Sequence, residues 1–230
     1  VLLVLQAMPA AGKDETIRAA LRGLNPQAYK TVHFAMPNDE EQAHDHLWRF
    51  HHRAPEVGII GVFNRSQLEG VVSDRVEQRV PEERWRRRYG HIRDFERMLT
   101  DEGTTFVKAF LHVSIEEERR RLRGRAEDPE RRWELDLHDL DILERHEAFQ
   151  EAYEDAIRET STEHAPWDVV PADVPIVRDA AVLTLLRDTL RELDPQVPTD
   201  ALDDDELAEV RERLGDGPTS DPASELDRAR

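Results

Sequence analysis

The start of the chain constrains the fold more than any other segment. Residues 1–5 form an unbroken apolar run with β-branched members, which predicts a strand buried on both faces of a parallel sheet. Small residues follow as far as Gly12-Lys13, and residues 16–21 have the composition of a helix. This order gathers backbone N–H groups, a helix N-terminus and a lysine at one point, which favours phosphate binding. An ordinary tight strand–helix turn would show the same pattern, so the pattern alone leaves both interpretations open.

The rest of the chain continues the alternation of strands and helices. Apolar runs predict further strands at residues 31–34, 57–63, 104–113 and 167–171. Amphipathic periodicity and capping residues predict helices at residues 38–49, 81–101, 115–124, 139–160 and 180–193, with Ser114 and Glu117 as a capping box. Such alternation predicts an α/β fold, with a parallel sheet and helices on both faces. The polar segment 115–145 is a helical excursion placed where a lid would lie.

The charge balance and the absence of cysteine exclude several classes of protein. There are 50 acidic residues against 32 Lys and Arg, a net charge of −18, so we expect no nucleic-acid partner and no anionic membrane surface. The lack of Cys excludes disulfides, thiolate catalysis and Cys-zinc sites. No apolar run approaches the roughly 20 residues of a membrane span, and we expect a cytoplasmic protein. The chain lacks an initiator Met and begins inside an apolar strand, so we expect its natural N-terminus to be missing.

The composition changes after Leu193. Residues 199–230 contain 11 acidic and 4 basic residues and few apolar ones. We therefore predict one domain over residues 1–194 and an acidic tail over residues 195–230. Within the tail, residues 203–214 are expected to form a short helix, and the part beyond Gly215 is expected to be disordered.

Seven blocks of sequence occur in a recognisable order along residues 1 to about 193. They read LQAMPAAGKDETI at 5–17, HDHLWR at 44–49, FNRS at 63–66, RY and then FE at 88–89 and 95–96, LHVS at 111–114, DP at 128–129 and APWDVVPAD at 165–173. Together they resemble the polyphosphate kinase 2 family. The resemblance implies a P-loop kinase fold, a three-layer sandwich with a helical lid over about residues 115–145. It also implies phosphoryl transfer between inorganic polyphosphate and ADP or AMP, or GDP or GMP, with Mg²⁺, in a homo-oligomer.

The resemblance also implies roles for individual residues. Lys13, Arg65, Arg121 and Arg125 match positions expected to act in catalysis. Phosphate or nucleotide binding is expected at Ala10, Ala11, Gly12, Lys13, Asp14, Thr16, Asn64 and Arg178. The residues themselves support part of this. Arg65 follows the third strand and so lies at the carboxyl edge of the sheet, where ligands bind. Arg121 and Arg125 are four residues apart and share one helix face.

Arginine is concentrated in two short windows. Residues 84–97 and 119–132 hold 13 of the 29 arginines. Guanidinium groups suit phosphate oxygens, so these windows fit a channel for a polyanion such as polyphosphate. They also fit solvated helix faces on which arginine pairs with interleaved Glu and Asp, and for most of the single arginines this second interpretation is favoured.

The departures from the family fall on charged positions. Pro9 stands where the family P-loop has an aspartate linked to magnesium, and Gly70 stands where it has a second one. Neither residue offers a side-chain oxygen, so Asp14 or Glu69 would have to hold the metal. Basic family positions are also lost, at Ala35, Glu134 and Val174. Four outcomes stay open: full activity, weak or altered phosphotransfer, a non-catalytic member that binds nucleotide or polyphosphate, and a structural partner of an active paralogue.

Aromatic residues and His44 complete the candidates. His44 is as well suited to a structural role as to substrate contact. Trp48 is expected in the core. Trp133 and Trp167 are either core residues or surfaces for stacking a base, and we favour the core for both.

Overall fold

Five parallel strands form the central sheet in the computed structural model, which describes residues 1–196 and 202–215. They are β1 (Leu2–Ala7), β2 (Tyr29–His33), β3 (Ile60–Asn64), β4 (Phe106–His112) and β5 (Trp167–Pro171). Their order in the sheet is β2-β3-β1-β4-β5. All six residues of β1 are buried, as its apolar run predicts for the central strand.

The described residues contain ten helices, of which the last belongs to a separate unit. They are α1 (Lys13–Ala20), α2 (Asp39–Ala43), α3 (Trp48–His51), α4 (Ser73–Val76), α5 (Glu82–Asp101), α6 (Ile115–Glu127), α7 (Leu137–Glu144), α8 (His146–Thr160), α9 (Pro175–Leu193) and α10 (Asp204–Leu214). Short 3₁₀ turns lie at Pro26–Ala28, Gln67–Gly70 and Arg132–Glu134.

The strand order places helices on both faces of the sheet. The chain leaves β1 towards β2 and later crosses back over β1 from β3 to β4. Because crossovers between parallel strands are right-handed, α1 lies on one face, and α5 and α8 lie on the other. Side-chain contacts agree with this, since Thr16 on α1 bonds Asp179 on α9, while Lys108 of β4 meets Glu96 on α5. The predicted three-layer α/β fold is confirmed.

The described chain divides into two compact units, which are residues 1–192 and a second unit that begins at Leu193. In the second unit the predicted helix is confirmed as α10, and Asp203 and Glu206 form a reciprocal capping box at its start. The domain boundary at residues 194 and 195 stays a prediction. Residues 197–201 and 216–230, which include the segment predicted to be disordered, lie outside the described residues.

Several predicted elements have other bounds in the structure; the last helix, for example, begins at Pro175 rather than residue 180. Three of the differences have a clear local reason. The third strand begins at Ile60 rather than residue 57, because Gly58 turns the chain with a φ of +83°. The helix predicted over residues 38–49 is two helices, since Asp45 accepts a hydrogen bond from the Leu47 N–H and forms a local turn instead. The helix predicted over 139–160 breaks at Arg145, whose ψ of 25° ends α7 before α8 begins.

The start of α6 is capped as predicted, but not by a complete capping box. The Ser114 hydroxyl accepts from the Glu117 N–H. The Glu117 carboxylate does not return the bond, because Arg120 and Arg121 donate to it instead, and the Ser114 N–H donates to Asp173. No helix in the described part of the chain is long and apolar enough to cross a membrane.

Candidate active site

A cavity of about 680 Å³ opens at the carboxyl ends of β1 and β3. Parallel sheets bind ligands at this edge, where the strand order reverses around β1. Eight of the predicted site residues line the cavity, namely Ala10, Gly12, Lys13, Asp14, Asn64, Arg65, Glu69 and Arg125. Most of the residues predicted from the sequence therefore lie around one cavity.

The backbone of the β1–α1 loop, residues 8–12, adopts conformations that most residues avoid. Gly12 has a φ of +98°, and a Cβ atom there would come 1.6 Å from Nη1 of Arg178, so only glycine fits. Ala10 and Arg65 also have positive φ angles, of 53° and 69°. Non-glycine residues in the left-handed region concentrate at functional sites, where the surrounding structure holds them.

Lys13 is a half-buried cation on the wall of this cavity. Its Nζ lies 3.4 Å from the Ala7 carbonyl oxygen, and within the described residues it forms no salt bridge. Burial and, to a smaller extent, the nearby Arg65 guanidinium lower the pKa of Lys13 to about 8, and Glu69 and Asp14 oppose this shift. A cation held in this way gains strongly from an incoming anion.

Two arginines add positive charge to the same space. Arg65 lies half-buried, and no protein acceptor for its guanidinium is present in the described parts of the chain. Arg125 reaches the cavity from α6, where its Nε lies 3.1 Å from an oxygen of Glu134. The cavity therefore combines three cationic side chains, Lys13, Arg65 and Arg125, a composition suited to phosphate groups.

The cavity also contains carboxylates with very different surroundings. The exposed Asp14 accepts a 2.5 Å hydrogen bond from Nδ2 of Asn64, whose own Oδ1 is buried without a partner in the described structure. Glu69 is held more firmly, because Oε1 accepts from Gln6 and Oε2 accepts from Ser73. Asp14 is thus the freer of the two acids.

The other four predicted residues lie behind the loop rather than in the cavity. Arg121 is the clearest case. Its five N–H donors reach the carbonyl oxygens of Ala10, Ala11, Ala172 and Asp173 and the carboxylate of Glu117. A guanidinium has five donors, so this side chain has none left for phosphate in the structure.

The remaining three residues, Ala11, Thr16 and Arg178, also bond to other parts of the chain rather than facing the cavity. Arg178 is buried and donates to the Ala11 carbonyl oxygen and to Asp179. Asp179 also accepts from the hydroxyl of Thr16. These contacts tie α1, α9 and the loop together, and they place Arg121, Arg178, Thr16 and Ala11 as supports of the loop.

A groove continues from the cavity towards α5. It consists of two adjoining hollows, of about 410 and 550 Å³, and Met36, Arg65 and Glu69 line both the cavity and the nearer hollow. The cationic side chains that line the groove are Arg49, Arg65, Arg79, Arg84, Arg87 and Arg88. We call these two hollows the arginine groove.

The first arginine window divides cleanly between groove and solvent. Arg84, Arg87 and Arg88 line the groove. The other three pair with acids on exposed faces, Arg86 with Glu82, Arg93 with Glu159 and Arg97 with Asp94. Arg88 is also buried and pairs with Asp74 at 2.5 Å. The solvated-face interpretation therefore holds for three arginines of the window, and the polyanion channel stays a prediction.

The aromatic predictions divide in a similar way. Trp167 is buried and donates from Nε1 to Thr160, which confirms the core assignment. Trp48 is only half-buried, stacked between His44 and His52 on the surface of α3, so its assignment to the core is wrong. Trp133 is 82% exposed and lines the cavity, so its assignment is wrong as well.

Sequence reasoning missed several residues of the site. Asp139 lines the cavity from α7, and Tyr153 of α8 accepts from Gln6 beneath it. Burial raises the pKa of both the Asp139 carboxyl and the Tyr153 hydroxyl. Asp139 lies in the predicted lid segment and Tyr153 on the apolar face of α8, but neither lies within one of the seven sequence blocks that resemble the family.

The comparisons with known proteins agree on one family. Residues 1–198 match the family model described as Polyphosphate kinase 2. A relative from Meiothermus ruber named AMP/ADP-polyphosphate phosphotransferase is 49% identical over 198 residues, which cover 86% of this chain and 74% of the relative. A second, from Rhodopseudomonas palustris, is named ADP-polyphosphate phosphotransferase and is 39% identical, covering 93% of this chain and 78% of the relative. The crystal structure of Polyphosphate Kinase 2 from Arthrobacter aurescens TC1 superposes with a TM-score of 0.86 at 39% identity, over 91% of this chain and 74% of that one.

Proposed function

Because the chain belongs to the polyphosphate kinase 2 family, we propose that it transfers phosphoryl groups between inorganic polyphosphate and the adenosine nucleotides AMP and ADP. The names of its relatives support this substrate class. One structural observation carries the proposal to this chain. Arg65 and Glu69 line both the cavity around Lys13 and the arginine groove, so two spaces lined by several cationic side chains meet at one point.

The arginine groove suits the longer substrate. Polyphosphate is a flexible chain of negative charge, and Arg84 and Arg87 have no acidic partner within the described residues. Guanidinium groups bind phosphate oxygens through two N–H donors at once. We place polyphosphate in this groove and the nucleotide on the side of the cavity beneath α6 and α7.

The transfer itself then takes place beside Arg65. The bond from the terminal phosphorus of polyphosphate to its bridging oxygen breaks, and that phosphorus bonds to a phosphate oxygen of the nucleotide. The shortened polyphosphate retains the bridging oxygen. Lys13, Arg65 and the N–H groups at the start of α1 hold the phosphates and offset the charge on the transferring group, which is most of what catalysis of this reaction requires.

Magnesium fits this site through few protein ligands. Within residues 1–196 and 202–215, no group of three or more His, Asp or Glu side chains is arranged to hold a metal. Mg²⁺ ordinarily takes one or two carboxylates beside substrate phosphates and water, and Asp14, Glu69 and the unpartnered Oδ1 of Asn64 supply such oxygens. When bound, the ion would neutralise phosphate oxygens. Asp14 is the preferred ligand, because both oxygens of Glu69 already accept hydrogen bonds.

A binding role without transfer is the second candidate function. It is favoured by Pro9, which lines the cavity without a side-chain oxygen and without an N–H group to offer phosphate. Gly70 likewise occupies the position at which the family resemblance implies the second aspartate. Lys13, Arg65 and the arginine groove would still bind polyphosphate or nucleotide in such a protein. Use of GDP or GMP in place of the adenosine nucleotides and assembly into a homo-oligomer also stay predictions.

The test is phosphorus-31 NMR of the protein with polyphosphate and ADP or AMP, in magnesium and in chelator. We expect the nucleotide to gain a phosphoryl group in magnesium only. The Arg65→Met variant should lose roughly a hundredfold or more in rate, the effect of removing one charge-stabilising donor. Arg86→Met is the matched control, since Arg86 pairs with Glu82 away from both spaces. Binding of both substrates with no transfer in any mixture would instead support the second candidate.

Restoring the family acids separates the two candidates further. A side chain at position 70 would begin 3.3 Å from both Nη1 of Arg88 and Nδ1 of His46, so an aspartate there needs a shift of a few tenths of an ångström. If the missing acids limit the rate, Pro9→Asp with Gly70→Asp should raise magnesium-dependent transfer more than either change alone. A double variant that binds nucleotide but stays inactive would assign the defect to the lost basic residues.

A further inference from the structure

Trp133 is the least buried large aromatic side chain that borders the cavity. Its indole is 82% exposed, yet it lies on the same wall as Arg125 and Arg131 and faces a space that contains Lys13. Tryptophan is ordinarily among the more buried residues, because its ring gains most from leaving water. An exposed indole at the rim of a cavity that contains Lys13 and Arg65 therefore offers a surface for a ligand.

The turn that carries this ring is firmly held. Glu134 accepts two hydrogen bonds from Arg131, of 3.0 and 2.8 Å, and pairs with Arg125 at 3.1 Å. Arg132 donates to the Ala126 carbonyl oxygen at 3.0 Å. Both neighbours of Trp133 are thus fixed while its own ring packs on little, which is the arrangement of a preorganised binding surface.

The chemistry of the cavity identifies what the ring would meet. Its inner part holds Lys13 and Arg65, to which the proposed function assigns the phosphates, and its rim presents a flat π surface. A ligand that satisfies both ends carries phosphates at one end and a planar aromatic group at the other. Nucleotides have this composition, whereas polyphosphate offers nothing to an indole ring.

We propose that Trp133 stacks on the base of the nucleotide whose phosphates bind at Lys13 and Arg65. The proposal rests on the proposed function for the identity of the ligand and adds the place of the base. Stacking on an aromatic side chain tolerates any base, because every base has a π face. Trp133 should therefore strengthen binding of AMP, ADP and GDP alike and leave the choice of base to other groups.

The experiment compares ADP with tripolyphosphate, a probe that has phosphates but no base. In calorimetry, Trp133→Leu should raise the Kd for ADP by about ten- to a hundredfold, the range for loss of one stacked base, and leave the Kd for tripolyphosphate unchanged. Trp133→Phe keeps a ring and should bind ADP within about threefold of the unmodified protein. Trp48→Phe is the control, because Trp48 stacks on His44 and His52 and lines neither the cavity nor the groove.

Intrinsic fluorescence supplies a second measurement on the same proteins. ADP should quench the emission of the unmodified protein and of Trp48→Phe, but not that of Trp133→Phe, although this variant still binds ADP. An unchanged Kd for ADP in Trp133→Leu would overturn the proposal. Equal losses for ADP and tripolyphosphate in Trp133→Leu would also overturn the proposal, because they would show that the substitution disturbs the turn and not a contact with the base. Quenching by ADP without any phosphoryl transfer would refute the proposed function and leave the stacking intact.

Discussion

Two lysines in this protein show how the same side chain becomes structural in one place and functional in another. Lys108 in β4 is fully buried, and its Nζ donates to Glu96 at 2.7 Å and to the Thr160 carbonyl oxygen at 3.0 Å. It also lies 4.8 Å from the centre of the Trp167 ring. Lys13 has only a 3.4 Å contact with the Ala7 carbonyl oxygen. Burial lowers the pKa of both ammonium groups, so burial alone does not distinguish them.

The difference lies in what satisfies the charge. Glu96 completes the environment of Lys108, and Gln67 in turn donates to Glu96, so the charge of Lys108 is neutralised within the chain. The charge of Lys13 faces open space beside Arg65, a second cation without a protein acceptor in the described residues. Unsatisfied charge of one sign at the edge of a parallel sheet is the physical mark of a site for the opposite charge.

Removing the charge of Lys108 should give the largest effect on stability. Lys108→Met leaves the Glu96 carboxylate buried without its counter-ion, so the free energy of unfolding should fall by about 3–5 kcal/mol. The double variant Lys108→Met with Glu96→Leu removes both charges and should recover most of the loss. Urea denaturation measures both variants, and a loss below about 1 kcal/mol in the single variant would contradict the comparison.

The matched change at the site should act on binding instead. Lys13→Met should weaken binding of tripolyphosphate by about 1–3 kcal/mol, the contribution of hydrogen bonds to a charged group. Its free energy of unfolding should change by less than about 1 kcal/mol, because no buried partner loses its counter-ion. Calorimetry and urea denaturation test the two halves. Unchanged affinity would mean that the β1–α1 loop does not bind phosphate.

The fold could be predicted from the sequence because its signals are local and repeated. The apolar run at the start of the chain, the alternation that follows and the cap at Ser114 each specify an element without knowledge of the others. The errors came where local turns compete with a long periodic pattern. Asp45 ends a helix through its own side chain, and Arg145 interrupts a pattern that spans α7 and α8 without a break.

The sequence predicts most of the residues of the site, but not which of them line the cavity and which support the β1–α1 loop. Lys13 and Arg65 follow strands, so the edge on which they lie can be inferred from position alone. Arg121 and Arg125 share one helix face, yet one binds four carbonyl oxygens behind the loop and the other reaches the cavity. Only the packing of the loops against α6 decides this, and no sequence spacing records it. Trp133 was misassigned because a tryptophan is core far more often than not.

The pH dependence of binding should sharpen the contrast between the two lysines. With a pKa of about 8, Lys13 is charged at pH 7 and loses its proton as the pH rises through 8. Phosphate binding favours the charged form, so affinity should be steady below that pH and fall by at most tenfold per unit above it. Calorimetry from pH 6.5 to 9.5 measures this. Lys13→Arg keeps its charge throughout and should flatten the profile, and an equally steep profile in this variant would exclude Lys13 as the cause.

Glu118 on α6 extends the comparison of Lys108 and Lys13 to a buried carboxyl of which only one oxygen has a partner. It is fully buried, Oε2 lies 3.1 Å from Nδ1 of His146, and Oε1 has no partner within the described residues. Burial, with a smaller contribution from Asp139, raises the pKa of this carboxyl to about 7, whereas Lys13 opposes the rise. Between about pH 4.5 and 7 the folded state therefore holds a proton that the unfolded state has lost, and stability falls as the pH rises through this window.

Replacing this carboxyl by an amide should accordingly matter more at high pH than at low pH. Glu118→Gln removes the carboxyl that the folded protein keeps protonated up to about pH 7, so its advantage in unfolding free energy should grow by about 2–3 kcal/mol from pH 5 to pH 8. Glu116→Gln, on an exposed position of the same helix, should show no such growth. Urea denaturation at the two pH values measures the difference for each variant. An equal advantage at both values would mean that the pKa of Glu118 is not raised in the folded state, which would contradict the prediction.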